Sequence, residues 1–232
     1  TKRRESSSHG FTIEWEKECG NMTNHTIITI GRQFGSGGHE IGNRLSERLN
    51  IPLYDNNLIS MAAHELSISQ EAAEKVDETI LGKFLSAYVV NMRDYTVFIN
   101  DSNESVPLSD KVYEVQSSII NRLADRGPCI FVGRCADYIL GDYSNCIHSF
   151  IYAYKEDRIR RIMKIYGLDS RQAWDKIKKM DRDRKTYYEA HTGREWGSIE
   201  AHGMLFNASL LGVEGVTDAL EAIYRKWEDS AR

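Results

Sequence analysis

A twelve-residue stretch rich in glycine, set between a β-branched run and an amphipathic stripe, leaves this chain few folds to choose from. Thr26-Ile27-Ile28-Thr29-Ile30 leads directly into Gly31-Arg32-Gln33-Phe34-Gly35-Ser36-Gly37-Gly38-His39-Glu40-Ile41-Gly42. Ile41, Leu45 and Leu49 then recur at i, i+4 and i+8. The first run predicts a buried strand, and the stripe predicts a helix that ends near Asn50 and Pro52. At a glycine-rich junction from strand to helix, backbone N–H groups and the helix N-terminus can together hold a polyphosphate. Gly35, Ser36, Gly37, Gly38, His39 and Glu40 are therefore expected to bind the phosphates of a nucleotide. A glycine-rich turn that holds no ligand is the competing reading.

The rest of the chain repeats the alternation of strand and helix. Leu53-Tyr54-Asp55 predicts a short second strand, after which a helix begins at Asn56 or Asn57. Helical spacing continues from Ile59 to Leu81, with a break at Ser67 to Ser69. Residues 82–107 mix β-prone pieces with polar interruptions and are expected to form an insertion. Further helices are predicted over Pro107 to Arg126, 155–166, 170–190 and Gly215 to Trp227, with Asp169 or Ser170 capping the third of these four. Further strands are predicted at Cys129–Val132, Ile147–Tyr154 and Met204–Asn207. Strands separated by helices imply an α/β fold with a mostly parallel sheet covered on both faces. Residues 1–24 are polar and read as a tail outside one domain spanning 25–232.

The glycine-rich stretch lacks the lysine of a Walker A motif. With Gly35-Ser36-Gly37 in the usual position, Gly38 stands where the lysine belongs and Glu40 where a Ser or Thr would reach magnesium. Catalysis must then recruit another cation, and Arg32 and His39 are the nearest, although such a histidine more often caps a helix or faces solvent. The chain carries −4 overall, yet Lys155 to Lys185 holds 12 basic and six acidic residues, a local +6. That concentration suggests an anion site more than a nucleic-acid-binding surface. Within it, Arg182 and Arg184 are candidates to close over phosphates, Arg184 the better one because Tyr188 can pin its face. A solvated helix face with local ion pairs explains the same residues. Arg134, at the end of a buried strand, offers a planar fork to an acceptor phosphate or forms a salt bridge with a neighbouring aspartate. Asp55 touches the acceptor or a metal's water, or caps the helix that follows it. Trp174, Tyr187, Tyr188 and Trp196 suit packing better than base stacking.

Taken together, Thr29 to Gly38, Ile51-Pro52-Leu53-Tyr54-Asp55, Val132-Gly133-Arg134, Asp181-Arg182-Asp183-Arg184 with Tyr187-Tyr188, Thr192 to Trp196 and Leu205 to Gly212 resemble the cytidylate kinase-like family. The resemblance covers residues from about 26 to 229. It implies a P-loop NTPase fold of three α/β/α layers with a helical lid over 155–196. It also implies transfer of the γ-phosphoryl group of ATP, with Mg2+, to a nucleoside monophosphate such as CMP. In cytidylate kinases the residue after the strand-end arginine is an aspartate that helps to read the base, and here it is Cys135. Their lid arginines include a pair seven residues apart, and here Arg184 is followed at that spacing by His191. The metal ligands are not identified by the sequence.

Three functional readings follow: a phosphotransferase, a nucleotide-binding regulatory protein with weak or lost kinase activity, and a binding module for another anionic metabolite. No run approaches the roughly 20 apolar residues of a membrane span, and the first residues lack the apolar core of a secretory signal. Cys19, Cys129, Cys135 and Cys146 form no C-x-x-C pair and read as reduced thiols of a cytoplasmic protein. The expected partners are a nucleotide and a small phosphorylated acceptor, with no nucleic acid and no membrane. The apolar residues of 82–107 hint at a homodimer.

Overall fold

Five strands form one sheet in the order β2-β3-β1-β4-β5: β1 (Ile27–Arg32), β2 (Leu53–Tyr54), β3 (Cys129–Val132), β4 (Cys146–Tyr152) and β5 (Met204–Asn207). Every pairing is parallel, with Ile27 level with both Cys129 and Cys146. The computed structural model describes residues 25–55, 58, 61–62 and 108–230. The expected tail at 1–24, most of the helix over 59–81 and the insertion at 82–107 lie outside the described residues.

Around the sheet run α1 (Gly38–Leu49), α2 (Leu108–Arg126), α3 (Ala136–Ile139), α4 (Lys155–Tyr166), α5 (Ser170–Thr192), α6 (Ile199–His202) and α7 (Ala208–Ser230). Side chains alternate between the two sheet faces with the period of the pleat. Ile27, Cys129 and Phe131 pack with Ile119, Ile120 and Leu123 of α2 on one face. Ile28, Ile30, Ile130 and Val132 pack with Ile41 and Leu45 of α1 and with Val216 and Leu220 of α7 on the other. Both faces are buried, which is why these strands read as continuous apolar runs. This is the expected three-layer α/β/α architecture.

Some boundaries differ from expectation for local reasons. β4 ends at Tyr152 rather than Tyr154, because Tyr154 is the extended residue that caps α4. The last helix begins at Ala208, seven residues before Gly215, and is broken at Gly212, which takes φ 68° and ψ 170°. The glycines there signal the kink and conceal the first turn of the helix. The one-turn helices α3 and α6 are too short for apolar periodicity to register.

α4 and α5 form a helical hairpin joined across Gly167, Leu168 and Asp169. Asp169 closes a capping box: its carboxylate accepts from Gln172 N at 2.8 Å, and Gln172 Oε1 accepts from Asp169 N at 3.1 Å. Asp169→Ala is expected to cost about 1 kcal/mol of stability, measured as a lower denaturant midpoint with an unchanged slope. The hairpin's core, Ile162, Ala173 and Ile177, packs against Phe34 of the glycine-rich loop. Trp174 lies under Lys155 and Lys178, so it serves packing, as expected.

Candidate active site

Strand order reverses around β1, which places a crevice beyond its carboxyl end. The glycine-rich loop fills that position. Gly37 is the N-cap of α1 at φ 93° and supplies no capping side chain, so the first-turn N–H groups are left without a side-chain cap. A cleft of about 400 Å³ lies over the loop, lined by Arg32, Gly35, Gly37, Gly38, His39, Glu40, Asp55, Arg161 and Arg184 among others. Ser36 is buried, and its hydroxyl donates to Gln33 O at 2.9 Å, which shapes the loop from within.

Arg32 accounts for the glycine at the lysine position. A Cβ on Gly38 would lie 2.6 Å from Arg32 Cβ, and one on Gly133 would lie 1.7 Å from Arg32 Nη1. The arginine at the end of β1 thus lies across two glycines and puts a guanidinium beside the loop. Arg32 Nη2 donates to Asp55 Oδ1 at 3.1 Å, and His39 Nδ1 lies 2.8 Å from Asp55 Oδ2. Asp55 is buried. Arg184 Nη1 donates to Arg32 O at 3.0 Å, and its guanidinium lies 5.5 Å from the centre of the Phe34 ring.

The electrostatics follow from this crowding. Burial lowers the Arg32 pKa from its ordinary value; Asp55 opposes the shift and Arg134 adds to it. Burial, reinforced by Arg32, pushes Arg184 down to about 9. Arg134 therefore raises the cost of charge on Arg32, and Arg32 and Arg134 that on Arg184, around a buried Asp55 with Asp181 near Arg184. An arriving anion would offset that cost. Gly133, Arg134 and Cys135 all take positive φ, at 75°, 60° and 55°. For two non-glycine residues in succession this is stored strain of about 1–2 kcal/mol each, of the kind found where a site must be held in place.

The structure brings Arg32, His39, Asp55 and Arg184 together, and the charge of Arg134 acts on the same arginines. It does not bring Arg182 to the cleft. The Arg182 side chain is 74% exposed and is 4.0 Å from Asp183, on the solvent side of α5. The expected support from Tyr188 is also replaced. Tyr188 is buried and its hydroxyl donates to Asp137 Oδ2 at 2.6 Å, whereas Phe34 and Arg32 O hold Arg184. Glu40 lines the cleft but is paired with Arg44 and Arg161. Three of the four cysteines are described; all are buried free thiols, and burial pushes Cys129 up to about 12. Among the described residues, no helix is long and apolar enough to cross a membrane.

Arg158 and Arg161 were not singled out in the sequence, and Asp181 was noted only as part of the motif Asp181 to Arg184. Arg158 Nε donates to Phe34 O at 2.8 Å, and Phe34 N donates to Asp181 Oδ1 at 2.7 Å. Arg158 and Asp181 also pair with each other, so the Phe34 main chain is gripped by α4 and α5 together. Arg161, one turn beyond Arg158, lies over Gly37. The available signal was the spacing of Arg158 and Arg161, which puts two cations on one face of a helix inside the basic segment.

A parallel sheet in this order, with a glycine-rich loop leading into α1 and a helical hairpin packed on that loop, defines a kinase-like α/β P-loop fold. The chain belongs to the cytidylate kinase-like family, whose model matches residues 27–210. Among solved structures it is similar to an uncharacterized protein from Eubacterium ventriosum, at 27% identity and a TM-score of 0.64, over 87% of this chain and 99% of that one. It is also similar to a shikimate kinase from Bacteroides thetaiotaomicron, at 12% identity and a TM-score of 0.47, over 86% and 98% of the two chains. No curated protein matches it.

Proposed function

We propose that the chain transfers the γ-phosphoryl group of ATP to a nucleoside monophosphate of the CMP type, or to another small phosphorylated acceptor. The observation that carries this reading is the arginine cluster: Arg32, Arg134 and Arg184 converge beside a glycine-rich loop, with Asp55 as their buried carboxylate. An acceptor phosphate already carries its nucleophilic oxygen as an anion, so attack on the γ-phosphorus needs no general base. The new oxygen–phosphorus bond forms as the bond to the β–γ bridging oxygen breaks, and ADP leaves. What the protein must supply is alignment and charge stabilisation, and fixed guanidiniums supply both.

In this reading the loop N–H groups and Gly37 hold the donor phosphates, Arg184 spans the reacting groups, and Arg134 with Arg32 holds the acceptor phosphate. Magnesium takes hard oxygen ligands and commonly only one or two protein carboxylates. Asp55 and Glu40 are the carboxylates lining the cleft, and Asp55 at the strand end suits an outer-sphere role through water. When bound, the metal would neutralise charge on the donor phosphates. Cys135 is buried in the place where the resemblance expects a base-reading aspartate, so preference for cytosine is open to test.

The test is ADP release with CMP, dCMP, UMP, AMP and GMP as acceptors, alongside direct ATP binding. Acceptor-dependent release with at least one of them is the expected result. ATP binding without turnover on any acceptor would replace this reading with that of a nucleotide-binding regulatory protein, which the glycine at position 38 favours. Gly37→Ala tests the loop itself. Its methyl would lie 2.9 Å from Val213 at a left-handed φ, so ATP affinity is expected to fall at least about tenfold. Unaltered affinity would refute the loop assignment.

A further inference from the structure

The loop has lost its lysine, and Arg32 restores charge on the side facing Asp55 and Gly133. Over Gly37 the loop meets a different cation. A Cβ on Gly37 would lie 3.6 Å from both Cζ and Nη1 of Arg161. Arg161 comes from α4, 124 positions further along the chain, and lines the same cleft. It is held there by Glu40, its ion-pair partner in the first turn of α1. Glu40 also accepts from Arg44, one turn along α1, at 2.8 Å.

We infer that Arg161 takes the triphosphate in place of the absent loop lysine, and that Glu40 holds it beside the loop until the phosphates displace the carboxylate. This rests on the reading of the loop as the donor site given above. The chemistry of exchange favours it. The Arg161 and Glu40 side chains are 31% and 40% exposed, and an ion pair so close to solvent contributes little. A polyphosphate offers several anionic oxygens to a planar guanidinium, against the two of a carboxylate. Arg44 remains beside Glu40 after the exchange, so the displaced carboxylate keeps a partner. Glu40 is held below the usual carboxylate range, chiefly by its hydrogen bond to Arg161, so it competes as an anion at neutral pH.

The same geometry makes Glu40 a competitor of the nucleotide rather than a helper. Removing its charge frees Arg161, and removing Arg161 leaves Glu40 with nothing to withhold. The two effects should therefore fail to add.

The experiment is calorimetric titration of ATP, ADP and AMP into the wild type and the Arg161→Met, Arg161→Lys, Glu40→Gln and Glu40→Gln/Arg161→Met variants. It is run in EDTA, so that a role of Glu40 toward magnesium cannot enter, and melting curves confirm folding. Arg161→Met should weaken ATP binding at least tenfold and AMP binding less than twofold, with Arg161→Lys in between. Glu40→Gln should tighten ATP binding at least threefold, and this gain should vanish in the double variant. Unchanged ATP affinity in Arg161→Met, weaker binding in Glu40→Gln, or a gain that survives in the double variant would each overturn the inference. Wild-type protein that binds no ATP, or binds it equally well after Gly37→Ala, would remove the donor-site reading and this inference with it.

Discussion

Asp181→Ala should lower stability by about 3 kcal/mol and weaken ATP binding in the same variant. Asp181 accepts from the Phe34 N–H and pairs with Arg158, whose side chain is only 7% exposed. Deleting one partner of a buried pair leaves the other charge uncompensated, which commonly costs about 3–5 kcal/mol. The lower end applies because Asp181 is 19% exposed and water can reach the vacated space. For a domain of this size, 1 kcal/mol moves the melting temperature by about 2–4 °C, so a fall of about 6–12 °C is expected. Asp181→Asn keeps an oxygen for the Phe34 N–H and should lose less. Thermal melting of both variants, with ATP titrations below the transition, checks the prediction. A melting temperature within 2 °C of wild type for Asp181→Ala would show that α4 and α5 do not grip the loop in solution.

Gly133→Ala should act more on turnover than on stability. The new methyl would collide with the guanidinium end of the long Arg32 side chain and displace it. The displacement takes Arg32 away from the cleft and from Asp55, which keeps His39 as its partner. The strain of alanine at φ 75° costs about 1–2 kcal/mol, but on the proposed function the displacement of a phosphate-holding group can cost about a hundredfold in rate. Acceptor-dependent turnover should therefore fall about a hundredfold while the melting temperature falls by less than 8 °C. Turnover within threefold of wild type would show that Arg32 works equally well elsewhere, and the explanation of the lysine's replacement would fail.

Both predictions concern contacts that only the fold reveals, and they mark where the sequence stops being informative. Thr26 to Asp55 was legible because strand, turn and helix each carry a local pattern, and Met204–Asn207 was legible to the residue. Arg32, His39 and Asp55 were candidates because they flank the glycine-rich loop or follow a strand, and Arg184 because it lies in the basic segment; the fold brings the four together. The grip on Phe34 was not, since it joins residues 124 and 147 positions apart in the chain. Choosing between Arg182 and Arg184 depends on how α5 rotates against the loop, and packing of Phe34 and Ile177 decides that rotation. Tyr188 was given the wrong task for a related reason. Four residues after Arg184, it turns toward Asp137 of α3, a partner no helical spacing can indicate.

The basic segment from Lys155 to Lys185 also takes on a more specific meaning. Its charge is divided between the exposed surface of the hairpin, where Lys155, Lys164, Arg171, Lys178 and Lys185 lie, and the glycine-rich loop. Arg158 and Arg184 are turned onto the loop main chain and Arg161 onto Gly37, while Arg160 and Arg182 face solvent. Three inward arginines from one hairpin, with Arg32 from β1, gather positive charge around a loop that lacks its lysine, as the proposed phosphoryl transfer would require.

The measurement that bears most directly on this account follows the phosphoryl group itself. Wild-type protein is incubated with γ-labelled ATP, magnesium and each nucleoside monophosphate, and the label is traced by separating the products. Label on an acceptor nucleotide, falling together with turnover in Gly133→Ala, is the predicted result. Label appearing only as inorganic phosphate, or remaining on ATP with every acceptor, would contradict it.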